Sequence, residues 1–311
     1  MSITRITYFI LILLIPTYTL CAQDSSFVQT EVIYGRKDGM ALTMIIAKPK
    51  TYSNGKGIVQ VISGGYNSFF QGWRGWRVSQ AKSFVANGYT VFAVIHSSQP
   101  RYTIPDALLD LQRAVKYIRY HAKDYAIDAE KIGVTGTSSG GNLALLVGLM
   151  DGIGNPKARD PIDQLSSKVQ AVACFAPPSD FLNWRNQGDN LMSNEFFNKY
   201  PALKPPFDFK QWDTTRFNYV WITDTTAINK TLKELSPINY VTHDDPPVFI
   251  IHGDEDELVP IQQSELLMTK LQEQKIPSEL SVKKGGTHEA LPKGQKAIEQ
   301  EYIDWFDKYL K

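Results

Sequence analysis

Cysteine is nearly absent from this chain of 311 residues: only Cys21 and Cys174 occur. At most one bridge can form, so stability has to come from an apolar core rather than a disulfide framework. An excess of charge of either sign is also missing. Lys and Arg together number 33 against 32 for Asp and Glu, with no run of basic residues, which argues against nucleic acid as a partner. The five histidines show no i, i+4 pairing and no C-x-x-C accompanies them, so neither a metal site nor a cofactor is expected. What the chain does have is apolar mass, 43% hydrophobic and 12% aromatic, ample for one large core or two modest ones.

The first 22 residues belong to a different class. Arg5 precedes the apolar run Ile6–Ile15, then Pro16, then small residues ending at Ala22. This is the layout of a secretory signal peptide, and the run is short for a membrane span of ~20 residues. Cleavage after Ala22 would leave residues 23–311 as one secreted or periplasmic domain, with no membrane span. Lipid attachment at Cys21 is disfavoured because Leu20 stands where a small residue is expected. Cys174, within the buried-strand pattern of residues 169–175, reads as an inert core thiol.

After the signal, apolar runs and helical stretches alternate. Residues 41–49, 57–62, 89–96, 131–136, 169–175, 246–253 and 278–284 read as strands, several of them continuously apolar, as in a parallel sheet buried on both faces. Residues 104–125, 261–275 and 295–311 carry apolar side chains at helical spacing, with Pro105 suited to a helix start. The expectation is an α/β fold with a mostly parallel, doubly wound sheet. Between about residues 181 and 237 the rhythm breaks and aromatics crowd in: Trp184, Phe196, Phe197, Tyr200, Phe207, Phe209, Trp212, Phe217, Tyr219 and Trp221. Such an insertion is either a lid over a site or a satellite core covering a sheet edge.

Residues 136–140, Gly-Thr-Ser-Ser-Gly, match G-x-S-x-G between a strand and a helix. A serine on such a sharp turn is exposed above the sheet, and the glycines give clearance where strand and helix pass closely. Three fixed positions of this kind recur by chance about once in ten chains of this length, so the motif needs partners. Ser138 requires a base, and the base an acid, in the chain order serine, acid, histidine. The run 248–260 offers Asp254, Glu255, Asp256 and Glu257 directly after a strand, and His288 alone among the histidines lies beyond them, in a glycine-loosened loop. Asp256 has the longer reach and is favoured over Asp254. Ser139 would offer its backbone N–H at the helix start. Gly64 and Gly65, after the strand ending at Ile62, would turn backbone amides toward an oxyanion. Trp73, Arg74, Trp76 and Arg77 could contact an anionic or sugar-bearing group, and Arg101 more weakly so.

With these residues in place, the chain from about Gly57 onward resembles the α/β-hydrolase superfamily, in its esterase/lipase and feruloyl-esterase-like branch bordering the prolyl oligopeptidases. The resemblance rests on Ser63-Gly64-Gly65-Tyr66, the elbow 133–144, His252-Gly253-Asp254-Glu255-Asp256 with Val259-Pro260, and Gly285-Gly286-Thr287-His288. It implies a triad of Ser138, Asp256 and His288, and an oxyanion hole from the amides of Gly65, Tyr66 and Ser139. Ser63 replaces the usual histidine of the oxyanion motif and Tyr66 its last glycine. The activity it implies is hydrolysis of carboxylic esters, with a short-chain or aromatic acyl group, on a small-molecule or polysaccharide substrate. Two alternatives stand beside it: a prolyl-oligopeptidase-like peptidase, and an inactive binding protein on the same scaffold.

Overall fold

The short, continuously apolar runs become the central strands. In a computed structural model of the chain, residues 27–99, 101–193, 207–289 and 298–311 are described, with the backbone alone of Trp76 and Phe207. The expected N-terminal signal with Cys21, and Phe196, Phe197 and Tyr200 of the insertion, lie outside the described residues.

One sheet is built from β1 (Phe27–Lys37), β2 (Met40–Pro49), β3 (Gly57–Ile62), β4 (Thr90–Ile95), β5 (Ile132–Thr137) and β6 (Ala171–Phe175). After an intervening hairpin of β7 (Lys210–Asp213) and β8 (Asn218–Trp221), β9 (Val248–Gly253) and β10 (Ser278–Lys283) complete it. The spatial order is β1-β2-β4-β3-β5-β6-β9-β10. β2 alone runs against the other seven. β3, β6 and β9 are buried along their whole length, as strands covered on both faces must be.

Helices cover the two faces. α1 (Trp76–Ala86) and α6 (Ile298–Tyr309) pack on one face through Phe84, Tyr302 and Phe306, against Ile45, Ile58 and Phe249 of the sheet. α2 (Ile104–Tyr120), α3 (Ser139–Leu149), α4 (Thr225–Glu234) and α5 (Gln262–Glu273) lie on the other, with Leu111, Leu145 and Leu267 against Val59, Val134 and Ile250. Among the described residues, no helix is long and apolar enough to cross a membrane.

The expected doubly wound parallel sheet is therefore what the chain forms, with three local differences. β1 was not anticipated, because it is an edge strand whose side chains are mostly exposed. α1 was not anticipated either, since its inner face carries Gln80, a buried polar residue paired at 2.5 Å with Gln60 of β3. The helix expected over 104–125 ends at Tyr120, after starting at a capping box in which Thr103 and Asp106 exchange bonds.

Candidate active site

The chain makes β3, steps outward to β4, then returns across β3 to make β5. Neighbouring strands whose connections leave in opposite directions open a crevice at their carboxyl ends. Ser63 follows one of these two strands and Ser138 the other. Ser138 links β5 to α3 at φ 55°, ψ −124°, a left-handed conformation that a residue with a side chain adopts only under constraint. The constraint is visible. A Cβ on Gly136 would lie 2.2 Å from the Gly140 carbonyl oxygen, so the strand can approach the helix only because residue 136 is glycine. The Ser138 amide donates to the Phe175 carbonyl of β6 at 2.9 Å, fixing the turn from its other side. Ser138 is half-buried at the start of a helix whose first turn, Ser139-Gly140-Gly141-Asn142, carries no charged side chain.

β9 and β10, parallel neighbours, bring the acid and the histidine together from opposite sides of α5. His288 Nδ1 lies 2.7 Å from Asp256 Oδ2. The other oxygen of Asp256 accepts the amides of Leu258 (2.9 Å) and Val259 (2.8 Å), so the carboxylate cannot rotate away. Burial alone would raise its pKa. The bonds from His252 and His288 outweigh burial and hold the carboxyl down at about 2. Asp254, the alternative acid, is exposed and accepts the Gly285 amide at 2.6 Å, bracing the loop that carries His288.

His252 is a site residue that sequence reasoning passed over. It is fully buried, donates from Nε2 to the Val259 carbonyl at 2.9 Å and accepts at Nδ1 from Ser264 Oγ at 2.7 Å. Its Nε2 also lies 3.4 Å from Asp256 Oδ2. The i, i+4 spacing of His252 and Asp256 across a strand end was the available signal.

The loop after β3 forms the facing wall. Gly64 and Asn67 exchange backbone bonds at 3.0 Å, which places Gly65 (φ 55°) and Tyr66 (φ 62°) at the tip in left-handed conformations. Gly65, Tyr66, Ser138 and Ser139 line one small cavity. Ser63 Oγ and Ser139 Oγ, both buried, are bonded at 3.2 Å and tie this loop to the elbow. Arg77 clamps the loop from behind, donating to the Ser63 carbonyl (2.9 Å) and the Gly72 carbonyl (3.1 Å). A larger cleft, about 630 Å³, is lined by Ser138, His288, Gly65, Arg77, Gln80 and Glu299 among others.

The remaining candidates sit elsewhere. Trp73 is buried in the core beside α1 with Nε1 toward Gln29, and Arg74 is exposed; neither lines the two cavities at Ser138. Trp73 therefore presents no face for stacking, contrary to the expectation of substrate contact. Arg101 reaches the Asp38 carbonyl and the Tyr102 ring. Burial pushes the Cys174 thiol far up, as expected for an inert core sulfur.

The insertion is neither simply a lid nor simply a satellite core. Phe181, Trp184 and Phe209 are buried, whereas Trp212, Tyr219 and Trp221 are about half exposed and Phe217 more so on the β7–β8 hairpin. Gln263 of α5, which no motif marked, holds the first part through five backbone bonds.

Comparison with known proteins places this geometry in a context. Residues 44–271 match the BD-FAE family. Over 186 residues the chain is 26% identical to a probable carboxylic ester hydrolase, LipM, of Mycobacterium tuberculosis, and 28% identical to esterase LipQ of the same organism. Each match covers 60% of this chain but only 38% and 39% of the relative, so the chain spans well under half of their length. Among solved structures, a truncated carbohydrate esterase from gut microbiota superposes with a TM-score of 0.71 at 22% identity. That superposition covers 92% of this chain and 98% of the other. The shared architecture is the α/β-hydrolase fold.

Proposed function

Because the chain belongs to the BD-FAE family, we propose that it hydrolyses carboxylic esters through Ser138, His288 and Asp256. The observation that carries this reading is the 2.7 Å contact of His288 with the buried Asp256, in a loop that brings His288 to the cleft where Ser138 sits. Asp256 accepts from Nδ1–H, which leaves Nε2 as the base. Nε2 takes the Ser138 proton as Oγ bonds to the ester carbonyl carbon, and the carbonyl electrons move onto oxygen. The amides of Gly65, Tyr66 and Ser139 meet that oxyanion, each such donor contributing ~3–4 kcal/mol in the transition state. The alcohol leaves with the proton from His288, and water repeats the two steps on the acyl-enzyme, releasing the acid and restoring Ser138.

The substrate class proposed is a small-molecule or carbohydrate ester, supported by the carbohydrate esterase with which the chain shares its fold. The same reading assigns residues 1–22 to export and the enzyme to the cell exterior or periplasm.

The test is labelling with a small fluorophosphonate alongside hydrolysis of aryl acetate, with native protein and Ser138→Ala. Native protein should label and cleave. Ser138→Ala should do neither, with kcat down at least ~10⁴-fold. Equal activity in the two proteins overturns the assignment.

A further inference from the structure

Two cavities meet at Ser138, and the residues that line them divide the substrate. The larger contains His288; the smaller, about 60 Å³, contains Gly65, Tyr66 and Ser139 but not His288. This difference has a chemical meaning. In the tetrahedral intermediate the carbon carries four groups: Ser138 Oγ, the oxyanion, the leaving oxygen and the acyl chain. The leaving oxygen must receive its proton from His288, so the alcohol lies on the side that His288 lines. The oxyanion points at the amides of the small cavity, and the acyl chain continues past them, away from His288.

Resting on the ester-hydrolase reading above, we infer that the small cavity is the acyl pocket and restricts the enzyme to acyl groups of about two to four carbons, carried on a bulky hydroxylated alcohol. An apolar cavity of ~150 Å³ holds one benzene ring. The pocket beside Ser138 has less than half that volume, room for a methyl to propyl group beyond the carbonyl. A feruloyl ring does not enter it. The choice left open by the sequence, short-chain or aromatic, thus falls on short-chain.

The pocket is closed by the first part of the aromatic insertion. Phe181 and Trp184, each 1% exposed, pack with ring centroids 5.9 Å apart, and Leu191 stands beside them, while Leu258 lines both cavities where they meet. The described residues of this wall are tied down by backbone bonds. Leu191 N–H donates to the Phe181 carbonyl (2.8 Å), Trp184 N–H to the Asp189 carbonyl (2.6 Å), and Phe181 N–H to Ser236 Oγ (2.8 Å). Gln263, fully buried, holds the carbonyl of Trp184 itself. Enlarging the pocket for a longer chain means breaking these bonds. The alcohol side is the opposite: roomy, and edged by the carboxylates of Glu289 and Glu299, acceptors suited to a ring bearing several hydroxyls.

The experiment compares kcat/KM for aryl acetate, butyrate and octanoate and for methyl ferulate, in native protein, Trp184→Ala and Leu191→Ala, with fluorophosphonate labelling of each. Native enzyme should lose at least ~100-fold from butyrate to octanoate, with ferulate no better than octanoate. Leu191→Ala should raise the octanoate-to-acetate ratio about tenfold, and Trp184→Ala more. Should Trp184→Ala not fold, Leu191→Ala and the native series decide alone. Native protein that cleaves octanoate or ferulate within about tenfold of acetate overturns the pocket assignment while leaving the serine esterase intact. Protein that neither labels nor cleaves any ester sinks the esterase reading itself.

Discussion

The two described parts of the aromatic insertion differ in how they hold their aromatic rings. In residues 181–193, Phe181 and Trp184 are buried beside Ser138; in the β7–β8 hairpin, Trp212, Tyr219 and Trp221 stand about half exposed. Ring content does not separate them. Polar anchoring does. The first part lies over Gln263, whose side-chain amide accepts from the Ser179 and Asp180 amides and donates to the carbonyls of Asp180, Asn183 and Trp184. Asn142 of α3 adds a bond to the Pro178 carbonyl just before it. The hairpin's described anchors are at its base, where Asp208 accepts the Ile104 amide and Phe209 is buried. Irregular backbone can be buried as a pocket wall only when its amides and carbonyls find such partners.

The comparison is broken most severely at Gln263. Gln263→Leu keeps the volume but leaves five backbone groups of residues 179–184 without their partner, at ~1–3 kcal/mol for each that stays buried. The expected loss is about 5 kcal/mol of unfolding free energy, with acetate hydrolysis lost in parallel, measured by denaturant unfolding at neutral pH. A loss below ~1 kcal/mol would mean that the wall stands without this residue.

Gln263 also marks the boundary of what the sequence discloses. The central strands were legible because burial on both faces removes alternation, as in Val248–Gly253. β1 was not, because at the edge its exposed side chains dilute the signal. The overrun of α2 has a concrete cause: Tyr125, beyond the helix end, packs its ring 5.2 Å from Phe92 and so continues an apolar pattern that the backbone no longer follows. At the site, motif spacing and chain order singled out Ser138 and His288, which the fold places on one cleft. Choosing Asp256 over Asp254 on structural grounds needs the register of β9 against β10, since only that register shows which carboxylate His288 meets. The i, i+4 spacing of His252 to Asp256 has meaning only once that carboxylate is singled out, whereas Gln263 acts through backbone amides and carbonyls, contacts that leave no spacing of their own. The same holds for Arg77, offered at first as a substrate contact and found clamping Ser63 and Gly72.

Asp208 sharpens the comparison at the foot of the hairpin. Burial raises its carboxyl to about 7, against the bond from the Ile104 amide that favours the charged form. An unfolded aspartate titrates near ~3.9. Between these values the folded chain binds the extra proton, so this residue's contribution to stability falls as pH rises from about 4 through 7 and is lowest above that. Asp208→Asn keeps an acceptor for Ile104 and removes the titration. The variant's stability relative to native protein should therefore increase by about 2–4 kcal/mol from pH 4 to pH 8, followed by denaturant unfolding across that range. A difference independent of pH would mean that the carboxylate is charged in the folded protein throughout.

The smallest effect is expected at the hairpin's outer face. Trp212 meets Tyr219 across the strands, edge to face with centroids 5.2 Å apart, and both rings are half exposed. A cross-strand pair of this kind contributes ~0.2–1 kcal/mol, far less than a ring packed in a closed wall. Trp212→Ala should lower stability by less than about 1 kcal/mol and leave the acetate-to-octanoate ratio unchanged, whereas Trp184→Ala moves both. The pair of variants, read by thermal unfolding and by the acyl series, isolates position from residue type, since each removes a tryptophan from the same insertion. If Trp212→Ala matched Trp184→Ala on both readouts, the hairpin would be part of the acyl pocket's support and the division between the two parts of the insertion would fail.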